Sequence, residues 1–170
     1  MYRVGDKVVY PVHGAGEVVA IERREVGGRL REYYILNLPF SGLRVSVPLA
    51  EAERLGLRRL MSGREAEQVL EILCGEANAG GKFPEKWAHR SRLLVDKIKA
   101  GNVCELAEVV RCLAERERRR ALAGGEKKLF EQARDILLSE LRLVEGNISA
   151  ADSEQARRLR QVLADLEKTE

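Results

Sequence analysis

Aromatic residues are scarce in this chain. Only 5% of its 170 residues are Phe, Trp or Tyr, with a single tryptophan at Trp87, so each large ring carries more than usual weight in packing or contact. No apolar run reaches the ~18 residues that a membrane span needs. No charged, apolar, small-residue leader follows Met1, so a cytoplasmic protein with no membrane partner is the expectation. Histidine is confined to His13 and His89, and cysteine to Cys74, Cys104 and Cys112, with no Cys-x-x-Cys or paired-histidine spacing. That speaks against zinc and leaves no cofactor to expect. The odd, widely separated cysteines lie in apolar helical stretches and read as reduced, small core residues. Walker-type phosphate loops, a Gly-x-Ser-x-Gly elbow and a His-Glu-x-x-His helix are all missing. His13, in a turn without a partnered acid, reads as structural. An enzyme acting on a small-molecule substrate is therefore not the expected class.

Charge, by contrast, is plentiful but balanced: 30 Lys and Arg against 27 Asp and Glu, a net +3 in a chain that is 34% charged. This gives no whole-protein field for anions, so any nucleic-acid contact must come from a local patch. Between Lys82 and Lys99 six basic residues (82, 86, 90, 92, 97 and 99) outnumber two acids, Glu85 and Asp96, around Trp87. An exposed aromatic among basic groups can wedge at an unstacked DNA step while its neighbours hold phosphates. The same segment also suits an ordinary core anchor, because Trp87, Ser91, Leu94 and Ile98 share one helical face. Arg116, Arg118, Arg119 and Arg120 close a helix, where the dipole favours solvated cations; Lys127 and Lys128 fall in the first turn of the next, where it opposes them. Residues 63–170 hold 20 basic and 20 acidic residues. That equality keeps open a second class, an interaction module whose helices bind another protein rather than DNA.

Along the chain the pattern changes once. Up to about Leu60, short β-prone runs alternate with turns: Lys7 to Pro11, Gly16 to Val26, Leu30 to Leu38, Leu43 to Pro48 and Leu57 to Leu60. The Gly27-Gly28 pair between two of these runs supplies the positive φ of a tight hairpin, and Pro39 and Pro48 sit at strand ends. Arg23, Arg24 and Arg44 lie on these strands, where an edge could pair with a partner's strand and arginines could fix its register. After Met61 almost everything is helical. Ser62 and Glu65 make a capping box, Pro84 suits the first residue of a second helix, and Asn102 caps a third that runs to about Leu122 and is closed by Gly124-Gly125. A fourth helix runs from Glu126 to about Glu145, Gly146-Asn147 breaks it, and Ser149 to Asp152 opens a fifth. The expected fold class is thus α+β, a small SH3-like or Tudor-like β barrel over residues 1–61 followed by an all-α domain of about five helices over residues 62–170.

The opening stretch, Val4-Gly-Asp-Lys-Val-Val-Tyr-Pro-Val-His-Gly-Ala-Gly16, resembles that of the CarD/CdnL family of bacterial RNA-polymerase-binding transcription regulators. Arg31 to Leu36, Leu43 to Pro48, Trp87 with Arg90 and Arg92, Ala107 to Arg111, and Gly125-Glu126-Lys127-Lys128 continue the resemblance over about the first 145 residues. It implies partners in the RNA polymerase β subunit and in promoter DNA; a patch making only a few phosphate contacts is expected to bind that DNA weakly and without sequence preference. It implies that Trp87 is the wedge at the upstream edge of the bubble, with Lys86, Arg90, Arg92, Lys127 and Lys128 contacting DNA. Arg24 matches a polymerase-contacting arginine of the family, with Arg44, Ser46 and Pro48 completing that surface. Ser46 stands where some members carry a second such arginine, so that contact is either absent or taken over by Arg44. His89, where many members have a basic group, implies a weaker phosphate contact near neutral pH.

Overall fold

A computed structural model describes residues 1–75, 83–147 and 154–168. The strands are β1 (Lys7–Tyr10), β2 (Gly14–Val26), β3 (Arg29–Leu38), β4 (Leu43–Pro48) and β5 (Arg58–Arg59), followed by helices α1 (Gly63–Cys74), α2 (Trp87–Ala100), α3 (Val103–Arg119), α4 (Gly124–Asn147) and α5 (Glu154–Glu167). The α+β order read from the sequence is the observed one.

All five strands join one antiparallel sheet in the order β4-β3-β2-β1-β5. The β2–β3 hairpin closes through Gly27 and Gly28, both at positive φ, with Val26 paired to Arg29, which is the two-residue turn that paired glycines favour. Gly14 to Gly16 are strand rather than turn: they pair with Tyr10, Val9 and Val8, and the reversal is confined to Pro11-Val12-His13. Val12 takes a φ of 72° there, unusual for a β-branched residue. His13 stacks on Tyr10 at 5.3 Å between ring centroids, consistent with its structural reading.

Strand alternation gives the sheet two buried faces. Val8, Val18, Tyr34, Leu36, Leu38 and Val47 form the sheet's own core with Ala52 and Leu57. Val9, Ala15 and Ile35 point the other way; they are buried yet belong to neither that core nor the helical one, and α4 packs on β2. Gly14 marks how closely: at φ 91°, a Cβ there would lie 2.6 Å from Ser139 Oγ. That hydroxyl accepts from the Ala15 amide at 2.8 Å and donates to the Ile136 carbonyl.

One buried carboxylate fastens the sheet to the helices. Glu140, in the middle of α4, is fully buried. It accepts two hydrogen bonds from the Arg58 guanidinium, at 2.7 and 2.8 Å, and one from the Met61 amide at 2.7 Å. Arg58 Nε donates in addition to the Gly101 carbonyl at the end of α2. A single arginine on β5 therefore ties two helices to the sheet, in the bidentate geometry that makes Arg–carboxylate pairs directional.

The helices pack around Leu70, Leu94, Leu113, Leu137, Leu141 and Leu159. Ser62 and Glu65 form the expected capping box, and Asn102 accepts from the amides of Cys104 and Glu105. Four boundaries differ from the sequence reading. Helix α2 begins at Trp87, not Pro84; α3 stops at Arg119; and Gly124-Gly125 open α4 instead of closing α3. Gly146 does not break α4, which runs through Asn147. Of the loop expected over Gly75 to Lys82 only Gly75 is described, as the C-cap of α1, and the start of the last helix at 149–152 lies outside the described residues. The cysteines are free: Cys74 is exposed, at the end of its helix, while Cys104 and Cys112 are partly covered, Cys104 packing against the helical core from the edge of its helix's apolar stripe.

Breaking the Arg58–Glu140 pair should be expensive, because one partner then stays buried and charged. Arg58→Ala is expected to cost about 3 kcal/mol of unfolding free energy. Replacing both partners by Met and Leu should recover part of that loss but leave the Met61 amide without an acceptor, a residual cost of about 1–3 kcal/mol. Denaturant unfolding of the three proteins checks this; a loss below about 0.5 kcal/mol for Arg58→Ala, typical of a plain surface change, contradicts it.

Candidate functional site

Two solvent-facing surfaces contain the residues singled out by the sequence. The first lies where the N-termini of α2 and α4 meet. Lys86 is the N-cap of α2, extended at φ −67° and ψ 124°, and Trp87 is its first helical residue. Trp87 is 42% exposed, so it is neither a core anchor nor free of the fold. Its ring leans on the start of α4, since a Cβ on Gly125 would stand 2.8 Å from Trp87 Cζ2. This contact brings Lys127 and Lys128, both exposed, to the same end of the helical bundle as Lys86 and Arg92, also exposed. Lys127 has an acidic neighbour in Glu131 at 3.9 Å, a solvated pair that holds the lysine only weakly.

Arg90 corrects the sequence expectation. It is 2% exposed and donates to the carbonyls of Pro84 and Glu85 and to the Glu126 carboxylate, so it does not reach phosphate from this position. The same bonds explain the late start of α2: two carbonyls just ahead of the helix are taken by a side chain. Arg116 is corrected as well. Unlike the exposed Arg118, Arg119 and Arg120, it turns inward, with Nε 3.3 Å from Glu126 Oε1. Lys82 lies outside the described residues.

The second surface is the sheet face beyond the reach of α4. Arg24 on β2 donates to Glu22 at 2.6 and 3.0 Å and to Ser46 Oγ at 3.2 Å, and its guanidinium lies 5.6 Å from the centroid of the Tyr33 ring. It thus stretches across β3 to β4. Ser46 and Pro48 lie opposite Ile35 and Tyr33, and Arg44 opposite Asn37. Alternation puts Arg44, Ser46 and Pro48 on one face of β4, which is an edge strand of the sheet. Ser46, where a second arginine was missed, serves here as an acceptor for Arg24.

The sequence reading did not recognise that three charged residues are buried. Glu140 comes three residues after Leu137 and four before Val144, Glu126 four before Phe130, and Arg90 four before Leu94 and eight before Ile98. All three sit on apolar stripes, the signal that finds a buried charge. Among the described residues no cluster of His, Cys, Asp and Glu is placed to hold a metal ion, and no helix is long and apolar enough to cross a membrane.

Comparison with known proteins agrees with both halves of this arrangement. Residues 2–61 match the CarD-like/TRCF RID domain, and residues 68–160 match the CarD C-terminal domain. YdeB of Bacillus subtilis (strain 168), whose name describes it as a transcription factor, is 33% identical over 147 residues, which span 86% of this chain and 94% of YdeB.

The surroundings of Glu126 favour its charged form. Burial alone would raise its carboxyl, but hydrogen bonds from Arg90 and the Ala123 amide, with the charges of Arg116 and Arg90, outweigh burial and hold it below its ordinary 4.5. The other group facing it is the Cys112 thiol of α3, which burial pushes up and away from this range. A carboxyl depressed in the fold contributes stability that is complete above its unfolded value and lost as pH falls through the folded one. Unfolding free energy should therefore decline below about pH 4.5, and Glu126→Gln should flatten that decline relative to the parent. Denaturant titrations between neutral and acid pH check this; equally steep acid limbs in both proteins contradict it.

Proposed function

Since the chain belongs to the CarD/CdnL family of transcription factors, we propose that it docks on the RNA polymerase β subunit through its sheet and stabilises the open promoter complex through the α2–α4 surface. In this division residues 1–61 are the docking domain and residues 62–170 the DNA-contacting one. The observation that carries the reading is the position of Trp87. The chain's one tryptophan is 42% exposed at a helix N-terminus, where the dipole favours phosphate, with Lys86 exposed beside it, Arg92 exposed in the next turn of α2, and Lys127 and Lys128 exposed near the start of α4.

The chemistry is differential binding. An aromatic face stacks on a base only where the duplex has been unstacked, and lysines around it hold the adjoining phosphates. The protein then favours the opened state over the closed one and shifts the equilibrium by its difference in affinity. A difference of about 1–2 kcal/mol changes that equilibrium about five- to thirty-fold. With so few phosphate contacts, free DNA should bind no tighter than about 10⁻⁴ M at physiological salt. Docking on polymerase supplies the effective concentration that makes such a contact useful. On the sheet, the β4 edge offers unpaired backbone groups for a strand of the β subunit, and Arg24 and Arg44 offer cations for its carboxylates. The equal charge count of residues 63–170, 20 basic and 20 acidic, favours a second reading in which the helices bind a protein instead of DNA.

Two substitutions should separate the two surfaces. Trp87→Ala is expected to leave β-subunit binding intact and to cost far less stability than the about 3–5 kcal/mol of a buried aromatic truncation. It should shorten the open-complex lifetime, through about 1–3 kcal/mol of lost stacking. Arg24→Ala should do the reverse, weakening β-subunit binding while leaving a protein that still folds. Open-complex lifetimes and binding to purified β subunit decide this; an unchanged lifetime with Trp87→Ala in the polymerase-bound protein favours the protein-binding alternative.

A further inference from the structure

We propose that Arg90 and Glu126 are positioning residues for Trp87, a buried ion pair that fixes how the indole is presented and locks the starts of α2 and α4 into one platform. The inference deepens the wedge reading and rests on it for its functional consequence.

Three helices send charge to one buried point. Arg90 comes from α2, Arg116 from α3 and Glu126 from α4, and both members of the central pair are 2% exposed. Arg90 Nη1 donates to the Pro84 carbonyl at 2.9 Å and to that of Glu85, while Nη2 donates to Glu126. One guanidinium therefore holds the segment leading into Trp87, and its carbon lies 5.6 Å from the centroid of the Trp87 ring itself. Glu126 holds the other side: it accepts from the Ala123 amide, capping the start of α4, directly beside Gly125, on whose backbone the indole rests. The ring is thus set between a cation fixed on one helix and a glycine fixed on another.

The cluster is poorly designed if stability is its only purpose. Two arginines face one carboxylate, and Arg90 Nε and Arg116 Nε are buried without a hydrogen-bond partner. Apolar residues of similar size would fill such a site at less cost. What apolar residues would not supply is direction. A planar fork bonded to two carbonyls and a carboxylate permits one arrangement of the chain before α2, and with it one placement of Trp87. The spacing needed is small: a Cβ at position 125 would already displace the ring.

Because Trp87 is the only tryptophan, its fluorescence reports the ring alone in the intact chain. Arg90→Lys keeps the charge but loses the fork, and Glu126→Gln keeps the shape and loses the charge. In folded protein, verified by circular dichroism, each variant is expected to raise acrylamide quenching of Trp87 about two-fold and to add fast depolarisation that the parent lacks. Each should shorten the open-complex lifetime toward that of Trp87→Ala, and combining either with Trp87→Ala should shorten it no further, because all act through one ring. Should Arg90→Lys fail to fold, the Glu126→Gln result stands alone. Quenching and depolarisation unchanged in the folded variants overturn the proposal, whatever happens to their melting temperatures. If the ring loosens as expected while neither these variants nor Trp87→Ala alters the lifetime, positioning holds and it is the wedge reading that falls.

Discussion

The Glu140 carboxylate is the constraint on which the rest of the structure depends. It is fully buried in the middle of α4, and its charge is balanced by one arginine from the last strand and one amide from the segment entering the helices. The apolar contact near it, where β2 packs on α4, supplies area but little direction, since apolar faces can slide over one another at small cost. The bidentate pair cannot slide: a shift of about an ångström exposes a charge to a medium that does not solvate it. Ser139, one residue earlier, adds a second fixed point by receiving the Ala15 amide against a glycine with no side chain to hold it off. Sheet and helices are in this way set at one angle, and so are Arg24 and Trp87 on their separate surfaces.

That rigidity gives the proposed function its logic. A protein of net charge +3 has no long-range field with which to find DNA, and on the proposed reading the exposed Lys86, Arg92, Lys127 and Lys128 would make only a few phosphate contacts. Such a site acts only when another contact holds it in place, and the advantage of tethering is lost if the tether lets the second site wander. A fixed angle between the surfaces turns docking on one partner into alignment on the other. The buried Arg90–Glu126 pair repeats the device on a smaller scale, fixing one ring relative to two helix ends.

What was legible in the sequence is what local chemistry decides. The Gly27-Gly28 hairpin, the Ser62–Glu65 capping box and the Asn102 cap depend on residues within a few positions of one another, and all form as read. The failures share a cause of the opposite kind. Pro84 is a sound helix start by its own chemistry, yet Arg90 takes the carbonyls that follow and delays the helix to Trp87. Gly124-Gly125 look like a stop, yet they begin α4 because Glu126 caps it and because the Trp87 ring needs a position without a Cβ. Arg90 itself was read by its neighbours' charge when its spacing from Leu94 and Ile98 pointed inward. Cys74 was read as core from the apolar run before it, though it is the last residue of its helix and faces out. The helix boundaries and Arg90 turn on the Arg90–Glu126 pair and the Trp87–Gly125 contact, which join α2 to α4 across a long stretch of chain, and only the placement of a charge on an apolar stripe hints at that pair beforehand; Cys74 turns simply on its place at a helix end.

The distance between the two surfaces tests the central claim most directly. Spin labels can replace the exposed Arg31 on β3 and Arg92 on α2, in a chain whose three cysteines are first substituted, and the interspin distance distribution can be measured by pulsed dipolar spectroscopy. A single narrow distance that broadens on Glu140→Gln is the predicted result. A broad or multiply peaked distribution in the parent, unaltered by that substitution, would mean that the sheet and the helices move independently and that Glu140 does not set their angle.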